Sequence, residues 1–540
     1  MCRISLGALA LAGFAGAAGA QTSTPIDRER VDRAQPVAPA VAEEPAQAPA
    51  AAIRIATGEA ADAAPIRSVR FEGSDVPAIV AGAARTFIGR PASRATLQGL
   101  ADAMSRAYGR SPVALFTIAI PEQDLASGDI LVMVAEGHVE AVVLTGEVEG
   151  RALELVTAYA DRLTRERPTS RRVLERHLSL IRDIPGLTTR ARLEMGDTPG
   201  GVRLILALDY RRPTLSFSFD NRTTRLVRDG QVQASARGYG LLREGDETQV
   251  NAAASVDFDD YVYLGASHST PVGREGTRLA GSVGYLVTRP AATGRTGEAV
   301  SFGLVLTHPL IRAYRRNLSL SFSFDGLDSR NAAFGALIAT ERTRALRAAA
   351  GFSELAERRT LSGGVTLSQG LGLFGADVAE VIGDAAFFKI NGRAALDQAL
   401  GRRAVLRLRG AGQWTNDPLP AAERFGVGGA EYGRAFETAV LGADRGLAGL
   451  AELAWRPLRV PRLAGSELYG FADLAAVRLL ERPGFAGQDF DLASAGGGVR
   501  FAWADRALLE LEYARVVDRP FEAYAGDWRI SVAWRLSLRP

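Results

Sequence analysis

The chain has 540 residues, of which 47% are hydrophobic and 23% are charged, and this balance excludes both a disordered chain and a bundle of membrane-spanning helices. The formal net charge of +3 is small for this length, which argues against a basic nucleic-acid-binding surface. The only cysteine is Cys2, so disulfide scaffolds, cysteine-ligated metals and a cysteine nucleophile are not expected.

The N-terminal segment predicts export. Residues 1–20 have the pattern of a signal peptide, with an apolar run from Leu6 to Phe14 and small residues, Ala18-Gly19-Ala20, at a suitable cleavage site. Residues 21–65 are rich in alanine, proline and acidic side chains, a composition typical of a linker. Within this linker, Asp27–Ala34 could form a short polar helix. Farther along the chain, no run of about 18 apolar residues predicts a membrane-spanning helix.

Residues 66–138 have the pattern of a small α+β domain: a strand, two helices and two strands. Ser93 is expected to cap the second helix, and Gly109 is expected to end it in a left-handed conformation. The apolar residues of this helix recur at helical spacing, which indicates one face packed on a sheet; they are Leu97, Leu100, Met104 and Tyr108.

Residues 139–210 repeat the same order of elements, so the sequence predicts a second domain of the same kind. Its second helix begins after Ser170 and carries His177 beside an apolar stripe, where we interpret the histidine as a packed residue. No metal site is predicted, because the four histidines are dispersed along the chain; they are His138, His177, His268 and His308.

Residues 211–540 change to segments in which apolar residues alternate with polar or small ones, as β-strands do. In the last segment, Trp528, Ile530 and Trp534 share one side with further apolar residues, and the other side is polar or small. A soluble sandwich and a membrane barrel both accept this pattern. At about 20 residues per strand and connection, this region would hold about sixteen strands, which favours the barrel. The predicted fold is therefore mainly β, a transmembrane antiparallel barrel preceded by two small α+β domains.

Several motifs give the chain a resemblance to a known family. The first domain carries IPEQDL from Ile120 to Leu125 and a turn at Gly128; the second carries LERHLSLIRDIPGL from Leu174 to Leu187 and a GDTPGG turn; and DNR, Asp220 to Arg222, stands at the start of the alternating region. Together these motifs resemble the outer-membrane transporters of two-partner secretion, the haemolysin secretion/activation (TpsB) family. The resemblance implies two POTRA domains followed by a barrel.

The segment from Glu423 to Trp455 resembles the inward-folded loop of that family's superfamily, with Arg434 as the arginine that reaches into the lumen. Gly470-Phe471-Ala472-Asp473 resembles the wall motif that presents its aspartate partner. We therefore expect a bidentate latch between Arg434 and Asp473. The loop reads GRAF where the family commonly has an Arg-Gly-aromatic order. This difference concerns the backbone turn of the loop more than the charge pairing. The residues expected to support the latch are Gly428, Gly429, Tyr432, Gly433, Phe436 and Phe471.

The resemblance implies a pore in the outer membrane, with periplasmic POTRA domains that bind an unfolded, TpsA-like exoprotein through its N-terminal secretion domain. Lipid and the barrel-assembly machinery are the other expected partners, and because the chain does not end in an aromatic residue, recognition by that machinery would depend on Trp534 and Leu538. No cofactor, metal or nucleic acid is expected. The residues expected to contact the exoprotein are Tyr108, Pro121, Gln123, Glu175, Arg176, Pro185 and Gly186.

Three alternatives stay open from the residues. A barrel-assembly factor of the same superfamily is disfavoured by having only two POTRA-like domains and by the IPEQDL run. A porin-like channel with periplasmic domains accepts the same pattern. An enzyme on a soluble β fold has little support, because the sequence contains neither a GxSxG nucleophile elbow nor a P-loop, and no catalytic residue is predicted.

Overall fold

A computed structural model describes residues 54–55, 64–147, 153–198, 200–224, 227, 230–290, 294–334, 336–458, 460–504 and 506–538. The expected signal peptide, the Asp27–Ala34 helix and most of the expected linker lie outside these residues. The described chain divides into two compact units: an N-terminal one up to Arg211, to which Arg312–Tyr314 also belong, and one formed by the rest of the chain from Arg212.

The first N-terminal domain is a four-stranded sheet with two helices. Two of its residues, Arg54–Ile55, come from the expected linker and pair in parallel with the strand Phe116–Ile120. From one edge to the other, the strands of this sheet are Arg54–Ile55, Phe116–Ile120, Asp129–Glu136 and Ser68–Gly73. Its elements are β1 Arg54–Ile55, β2 Ser68–Gly73, α1 Ala78–Arg85, α2 Arg94–Tyr108, β3 Phe116–Ile120 and β4 Asp129–Glu136.

Helix α2 begins as its sequence predicts but ends differently. The Ser93 side chain accepts the backbone N–H of Thr96 at 3.3 Å, and the predicted apolar stripe is buried. The left-handed ending expected at Gly109 is wrong, because this residue is right-handed, with φ −56° and ψ −20°. The Ser111 hydroxyl instead donates to the carbonyl of Tyr108 at 2.9 Å, so the helix end is satisfied without a left-handed residue.

The second N-terminal domain has two helices and a three-stranded sheet, in which the strand Gly201–Tyr210 lies between His138–Gly146 and Leu187–Met195. His177 is buried, with its ring centroid 6.3 Å from that of Tyr159, as expected of a packed residue. The elements are β5 His138–Gly146, α3 Glu154–Leu163, α4 Arg171–Arg182, β6 Leu187–Met195 and β7 Gly201–Tyr210.

The remaining strands form a closed antiparallel barrel, in which the last strand pairs with the first, Trp534 opposite Phe219. Sixteen strands of the described residues form the wall, and the two-residue strand Asp377–Val378 adds a further pairing to the strand Ala336–Leu355. This confirms the predicted fold class. The strands are β8 Thr214–Asp220, β9 Gln231–Tyr239, β10 Glu247–Ser255, β11 Tyr261–Val272, β12 Thr277–Thr288, β13 Arg295–Arg312, β14 Arg316–Ala333, β15 Ala336–Leu355, β16 Arg359–Gly370, β17 Asp377–Val378, β18 Phe388–Ala399, β19 Ala404–Thr415, β20 Phe425–Val427, β21 Leu441–Ala443, β22 Arg445–Trp455, β23 Glu467–Leu479, β24 Gln488–Trp503, β25 Ala507–Asp518 and β26 Trp528–Leu538.

The alternating pattern separates the two faces of the barrel wall. In β26, Trp528 and Ile530 are 60% and 53% exposed on the outer face, whereas Ser531 and Ala533 on the inner face are buried. A band of exposed large apolar side chains is unfavourable in water but suits contact with lipid hydrocarbon. Among the residues that the structure describes, no helix has the length and hydropathy needed to cross a membrane.

Candidate functional site: a loop inside the barrel

The connection between β19 and β22, residues 416–444, folds back into the barrel. Its two short strands, β20 and β21, pair antiparallel, with Phe425 opposite Ala443. Phe436 in this loop is fully buried, and it belongs to the same apolar cluster as the inward-facing wall residues Tyr469 and Phe471. Burial against the inner faces of several wall strands places the loop in the lumen. We call residues 428–436 the loop tip.

Glycines shape the loop tip. Gly428 and Gly429 have φ values of +102° and +98°, and a Cβ atom at Gly428 would lie 2.2 Å from the carbonyl oxygen of Glu437. A further left-handed residue, Gly433, immediately precedes Arg434 at φ +78°. The left-handed turn therefore comes before the arginine. The position after the arginine therefore needs no glycine. Ala435 occupies it and donates its N–H to the Ser494 hydroxyl at 3.3 Å.

Asp473 in β23 binds the backbone of the loop tip. Its carboxylate accepts the N–H groups of Gly433 at 2.8 Å and of Arg434 at 3.2 Å. The Ser494 hydroxyl donates to the same carboxylate, 2.8 Å from each oxygen. Arg434 and Asp473 are thus in contact, as the sequence led us to expect, but the contact is made through the main chain.

The Arg434 guanidinium pairs with two glutamates instead. Its Nη1 atom lies 3.0 Å from Glu452 and 3.1 Å from Glu512, on β22 and β25. The expected bidentate Arg434–Asp473 pair is therefore not the arrangement in the structure. The reason is geometric: the aspartate oxygens already accept backbone and hydroxyl donors, and Arg434 Nε donates to the carbonyl of Ala430 at 3.0 Å, so the terminal nitrogen extends to the longer glutamates.

The wall around Arg434 is a buried network of charged side chains. The guanidinium carbon of Arg434 lies 4.6 Å from the ring centroid of Phe471, a cation–π contact. The other charged or hydroxyl members of the network are Arg222, Arg407, Glu467, Tyr469, Arg500 and Glu510.

Both glutamates that bind Arg434 also have partners in the wall. Glu452 lies 2.6 Å from Arg407 and 2.7 Å from Arg500. Glu512 lies 2.9 Å from Arg222 and accepts the Tyr469 hydroxyl at 2.8 Å. Leaving a buried carboxylate without a partner is strongly unfavourable. Because these wall carboxylates keep partners if Arg434 withdraws, the contact between the loop tip and the wall is one that can be broken.

Other expected support residues also lie at the loop. Tyr432 is buried, and Phe436 packs on Tyr524 with ring centroids 5.2 Å apart. The Tyr524 hydroxyl donates to Glu437 at 2.9 Å, and the Thr438 hydroxyl donates to the carbonyl of Arg222 at 3.0 Å. The loop therefore contacts Arg222, which follows the first wall strand β8, and Tyr524, which precedes the last wall strand β26.

Sequence reasoning missed the glutamates of this site. Their signal was the spacing of charged residues within strands: Glu510 and Glu512 are two residues apart in β25, and Glu467 is on the same inward face of β23 as Asp473. Carboxylates on one face of a predicted strand indicate that this face lines the lumen. They do not indicate which strands the loop would contact. The sequence singles out Arg222 only as part of the DNR motif and gives no sign that it pairs with these glutamates.

Three residues expected to contact a client have structural roles in the N-terminal domains. Tyr108 is buried and stacks on Phe116 at 4.5 Å, and burial together with the nearby Glu136 carboxylate raises the pKa of Tyr108 above its ordinary value. Gln123 donates to the carbonyl of Leu131 at 2.9 Å and accepts its N–H at 2.7 Å. These contacts close the IPEQDL turn onto β4.

The third is Gly186, a left-handed turn residue at φ +77°, which is also buried. Burial argues against direct contact of Tyr108 and Gly186 with a client, whereas such contact stays a prediction for Gln123, which is partly exposed. The other four residues are partly exposed and stay candidates for recognition; they are Pro121, Glu175, Arg176 and Pro185. In the part of the chain that the structure describes, no group of three or more histidine, cysteine or acidic residues is arranged to hold a metal ion.

Solved structures share this fold. CdiB from Escherichia coli has a TM-score of 0.69 at 17% identity and covers 89% of this chain and 92% of its own. CdiB from Acinetobacter baumannii has a TM-score of 0.62 at 16% identity and covers 92% of this chain and 93% of its own. BamA from Haemophilus ducreyi lacking POTRA domains 1–3 has a TM-score of 0.53 at 12% identity, over 88% of this chain and 100% of its own.

Sequence comparison points to the same group. The heme/hemopexin transporter protein HuxB of Haemophilus influenzae is 21% identical over 251 residues, which cover 45% of this chain. The match spans 43% of HuxB, so the chain aligns with less than half of that relative. The profile of the haemolysin secretion/activation proteins ShlB/FhaC/HecB matches residues 203–501, more than half of the chain. The chain therefore belongs to the haemolysin secretion/activation protein family ShlB/FhaC/HecB.

Proposed function

We propose that this protein is an outer-membrane pore that secretes an unfolded exoprotein in two-partner fashion, after its N-terminal domains bind the client. The observation that carries the proposal is the loop folded into the lumen and held by Arg434 on wall carboxylates that have other partners. A channel for small solutes has no need of a detachable internal loop. Such a loop suits a pore for a polypeptide, because the client would need the space that the loop fills.

The barrel supports a location in the outer membrane. Its outer face carries an apolar band, and its inner face carries buried charged networks. An antiparallel barrel crosses a membrane with all backbone groups paired. The two N-terminal domains would then lie in the periplasm, and the assembly machinery would recognise the last strand, where Trp534 and Leu538 face outward.

The client would bind by strand addition. Strand β6 is at an edge of the second sheet, and β2 is at an edge of the first. An extended chain can pair with such an edge through backbone hydrogen bonds, which require little side-chain identity. The pairing of Arg54–Ile55 with β3 is an example within this chain, because a short segment adds to the first sheet as a parallel strand. Folding of the client outside the cell would then bias the direction of transport.

The proposal is tested by export of a TpsA-like exoprotein with an N-terminal secretion domain, to be sought first in the adjacent reading frame. In a Gram-negative host that lacks both genes, the exoprotein alone should stay in the periplasm, and co-expression of this chain should bring it to the medium or cell surface. Export that does not depend on this chain would overturn the proposal. Loss of other barrel proteins from the outer membrane when the chain is depleted, with unchanged export, would favour a barrel-assembly factor.

Photo-crosslinking tests the binding edge. A benzophenone amino acid at Arg190 or Arg192, whose side chains are exposed on β6, should crosslink to the exoprotein during transport. The same probe at Arg106, an exposed residue of helix α2, serves as the matched control. Equal crosslinking at the helix and at the strand would argue against strand addition at β6.

A further inference from the structure

The loop has a second buried ion cluster, of opposite polarity to the one at its tip. Glu423 ends a short 3-10 turn, Ala421–Glu423, and its side chain is 1% exposed. Lys389 Nζ on β18 lies 2.8 Å from its carboxylate, and Arg347 Nη2 on β15 lies 3.0 Å from it. Both cationic side chains have no exposed surface. Here the loop supplies the anion and the wall supplies the cations.

The wall positions these cations rigidly. Arg347 is bound through two nitrogens by both oxygens of Asp325 on β14, at 2.6 and 2.9 Å. Lys389, the only lysine of the chain, also donates to the backbone carbonyl of Glu423 at 2.9 Å. Gln413 donates to the same carbonyl at 3.2 Å. The wall therefore binds both the side chain and the main chain of one loop residue. We call Arg347, Lys389, Asp325 and Gln413 the root socket.

The C-terminal end of the loop, at Asp444, is fixed beside the root socket. Asp444 is fully buried and accepts the N–H of Leu419 at 2.7 Å, which joins the two ends of the loop. Its carboxylate also pairs with Arg482 at 2.8 Å and accepts the N–H of Leu480 at 2.7 Å. We call Leu419–Glu423 and Asp444 the loop root. Both ends of the root are thus held by buried charged groups.

We infer that the loop root is a fixed hinge, held by Glu423 in the root socket, and that the loop tip detaches from Glu452 and Glu512 while the root stays in place. Withdrawal of Arg434 leaves wall carboxylates that keep partners. Withdrawal of Glu423 would take a carboxylate away from Lys389, which has no exposed surface, although Arg347 would keep Asp325. It would also break the bonds that Lys389 and Gln413 donate to the Glu423 carbonyl, so it is more costly than withdrawal of Arg434. The link between this motion and transport depends on the proposed function; the hinge itself does not.

Spin labels on the purified protein in detergent test the hinge without any client. In a Cys2→Ser background, the single variants Glu431→Cys and Gly442→Cys carry a nitroxide at the loop tip and in strand β21, which ends beside the loop root. Both labels should be immobile in the parent. Arg434→Gln should at least halve the immobile fraction at the Glu431 label and leave the Gly442 label unchanged. Glu423→Gln should mobilise the Gly442 label.

The hinge is overturned if Glu423→Gln leaves the Gly442 label immobile, or if Arg434→Gln mobilises both labels equally. Glu354→Gln is the matched control, because this half-exposed acid lies on β15 away from the loop, and it should change neither label. Heat-modifiable migration reports whether each barrel has folded. If Glu423→Gln does not insert, the double variant Glu423→Gln/Lys389→Met removes both charges and carries the same expectation.

Hydrogen exchange of the parent chain gives a test that needs no variant. Amides of the loop root should exchange at least tenfold more slowly than amides of the loop tip, because the tip opens more often. Equal exchange in the two segments would overturn the hinge. Since neither measurement involves export, a failed hinge is distinguished from a failed transport function.

Discussion

At the scale of single residues, Arg434 is the side chain that joins the loop tip to the wall. Removing its charge-assisted hydrogen bonds should cost about 1.5–3 kcal/mol of anchoring, or roughly a 10- to 100-fold shift toward a detached loop. We therefore expect Arg434→Ala to form a heat-modifiable barrel in the outer membrane. Because a tip that no longer rebinds the wall would stay in the lumen as an unordered obstacle to the client, export should fall at least tenfold.

The matched control for Arg434→Ala is Arg393→Ala. Arg393 pairs with Glu431 of the same loop at 3.1 Å, but both side chains are partly exposed, at 20% and 33%. Partly exposed ion pairs contribute little. This variant should therefore export within about twofold of the parent, and an equal defect in the two variants would contradict a specific role for Arg434.

Asp473 makes a different prediction because it binds backbone N–H groups. Asp473→Asn keeps one acceptor oxygen for the N–H groups of Gly433 and Arg434, so it should retain more export than Asp473→Ala. The exchange Arg434→Asp/Asp473→Arg should not restore export, because the guanidinium does not pair with this aspartate in the parent. Rescue by the exchanged pair would show that a direct salt bridge forms during transport.

The resemblance to the family predicted that Arg434 and Asp473 would meet, but not through which atoms. Spacing along a strand tells which side chains share a face, so the inward positions of Asp473 and Glu512 could be read from it. It does not tell how deeply a loop enters a barrel. The choice of Glu452 and Glu512 as partners depends on that depth and on the lengths of the competing side chains, which only the folded structure provides.

At the scale of elements, Arg171 joins the two N-terminal domains at the start of helix α4. Its guanidinium donates to the carbonyls of Ser111 and Val113 at 3.4 and 3.3 Å. Ala114 N–H also donates to the carbonyl of Thr169 at 3.1 Å. These contacts are expected to make the two domains move as one body.

Arg171→Ala should raise the hydrogen-exchange rate of the amides of residues 113–115 about tenfold, because a charge-assisted hydrogen bond contributes about 1.5 kcal/mol. The neighbouring exposed Arg172→Ala is the control and should leave this exchange unchanged. Unchanged protection in Arg171→Ala would mean that the backbone pairing alone holds the junction.

A second element-scale prediction concerns pH. The Glu140 carboxylate in β5 accepts the N–H groups of Thr198 and Asp197 at 3.2 and 3.0 Å, and these hydrogen bonds lower the pKa of Glu140. Gly196 and Gly201 allow the approach, since a Cβ atom at either would lie within 2.5 Å of the carboxylate.

A carboxyl group with a lowered folded-state pKa contributes stability above its unfolded pKa, about 4.3, and loses it as the pH falls through the folded value. Turn amides at Asp197 and Thr198 should therefore exchange faster in Glu140→Gln than in the parent at pH 6. This difference should shrink progressively below about pH 4. A difference that persists unchanged at pH 3 would contradict the assignment.

The order of helices and strands in both N-terminal domains followed from the sequence because periodicity and caps are local signals. Ser93 and Ser170 both cap helices, as their positions predicted. The ending at Gly109 did not follow, because the turn after it is held by Ser111, whose hydroxyl reaches back to the helix. Such a contact depends on the path of the next residues, which a glycine alone does not specify.

At the scale of the whole molecule, the barrel completes its own sheet. Strand β26 pairs with β8, so every wall strand has two neighbours within residues 214–538 as the structure describes them. The N-terminal domains have separate apolar cores of their own. Closure of the wall therefore needs no strand from the N-terminal domains. The barrel is expected to fold and insert without them.

Deletion of residues 66–210 should consequently leave a heat-modifiable barrel in the outer membrane while export of the exoprotein falls to background. The expected cause is loss of client capture, because the deletion removes the edge strands β2 and β6 but leaves the loop, Arg434 and the root socket intact. Spin labels at Glu431 and Gly442 should stay immobile in the deleted protein, which would show that the lumen is undisturbed. Export at the parent level without these domains would place client recognition in the barrel itself.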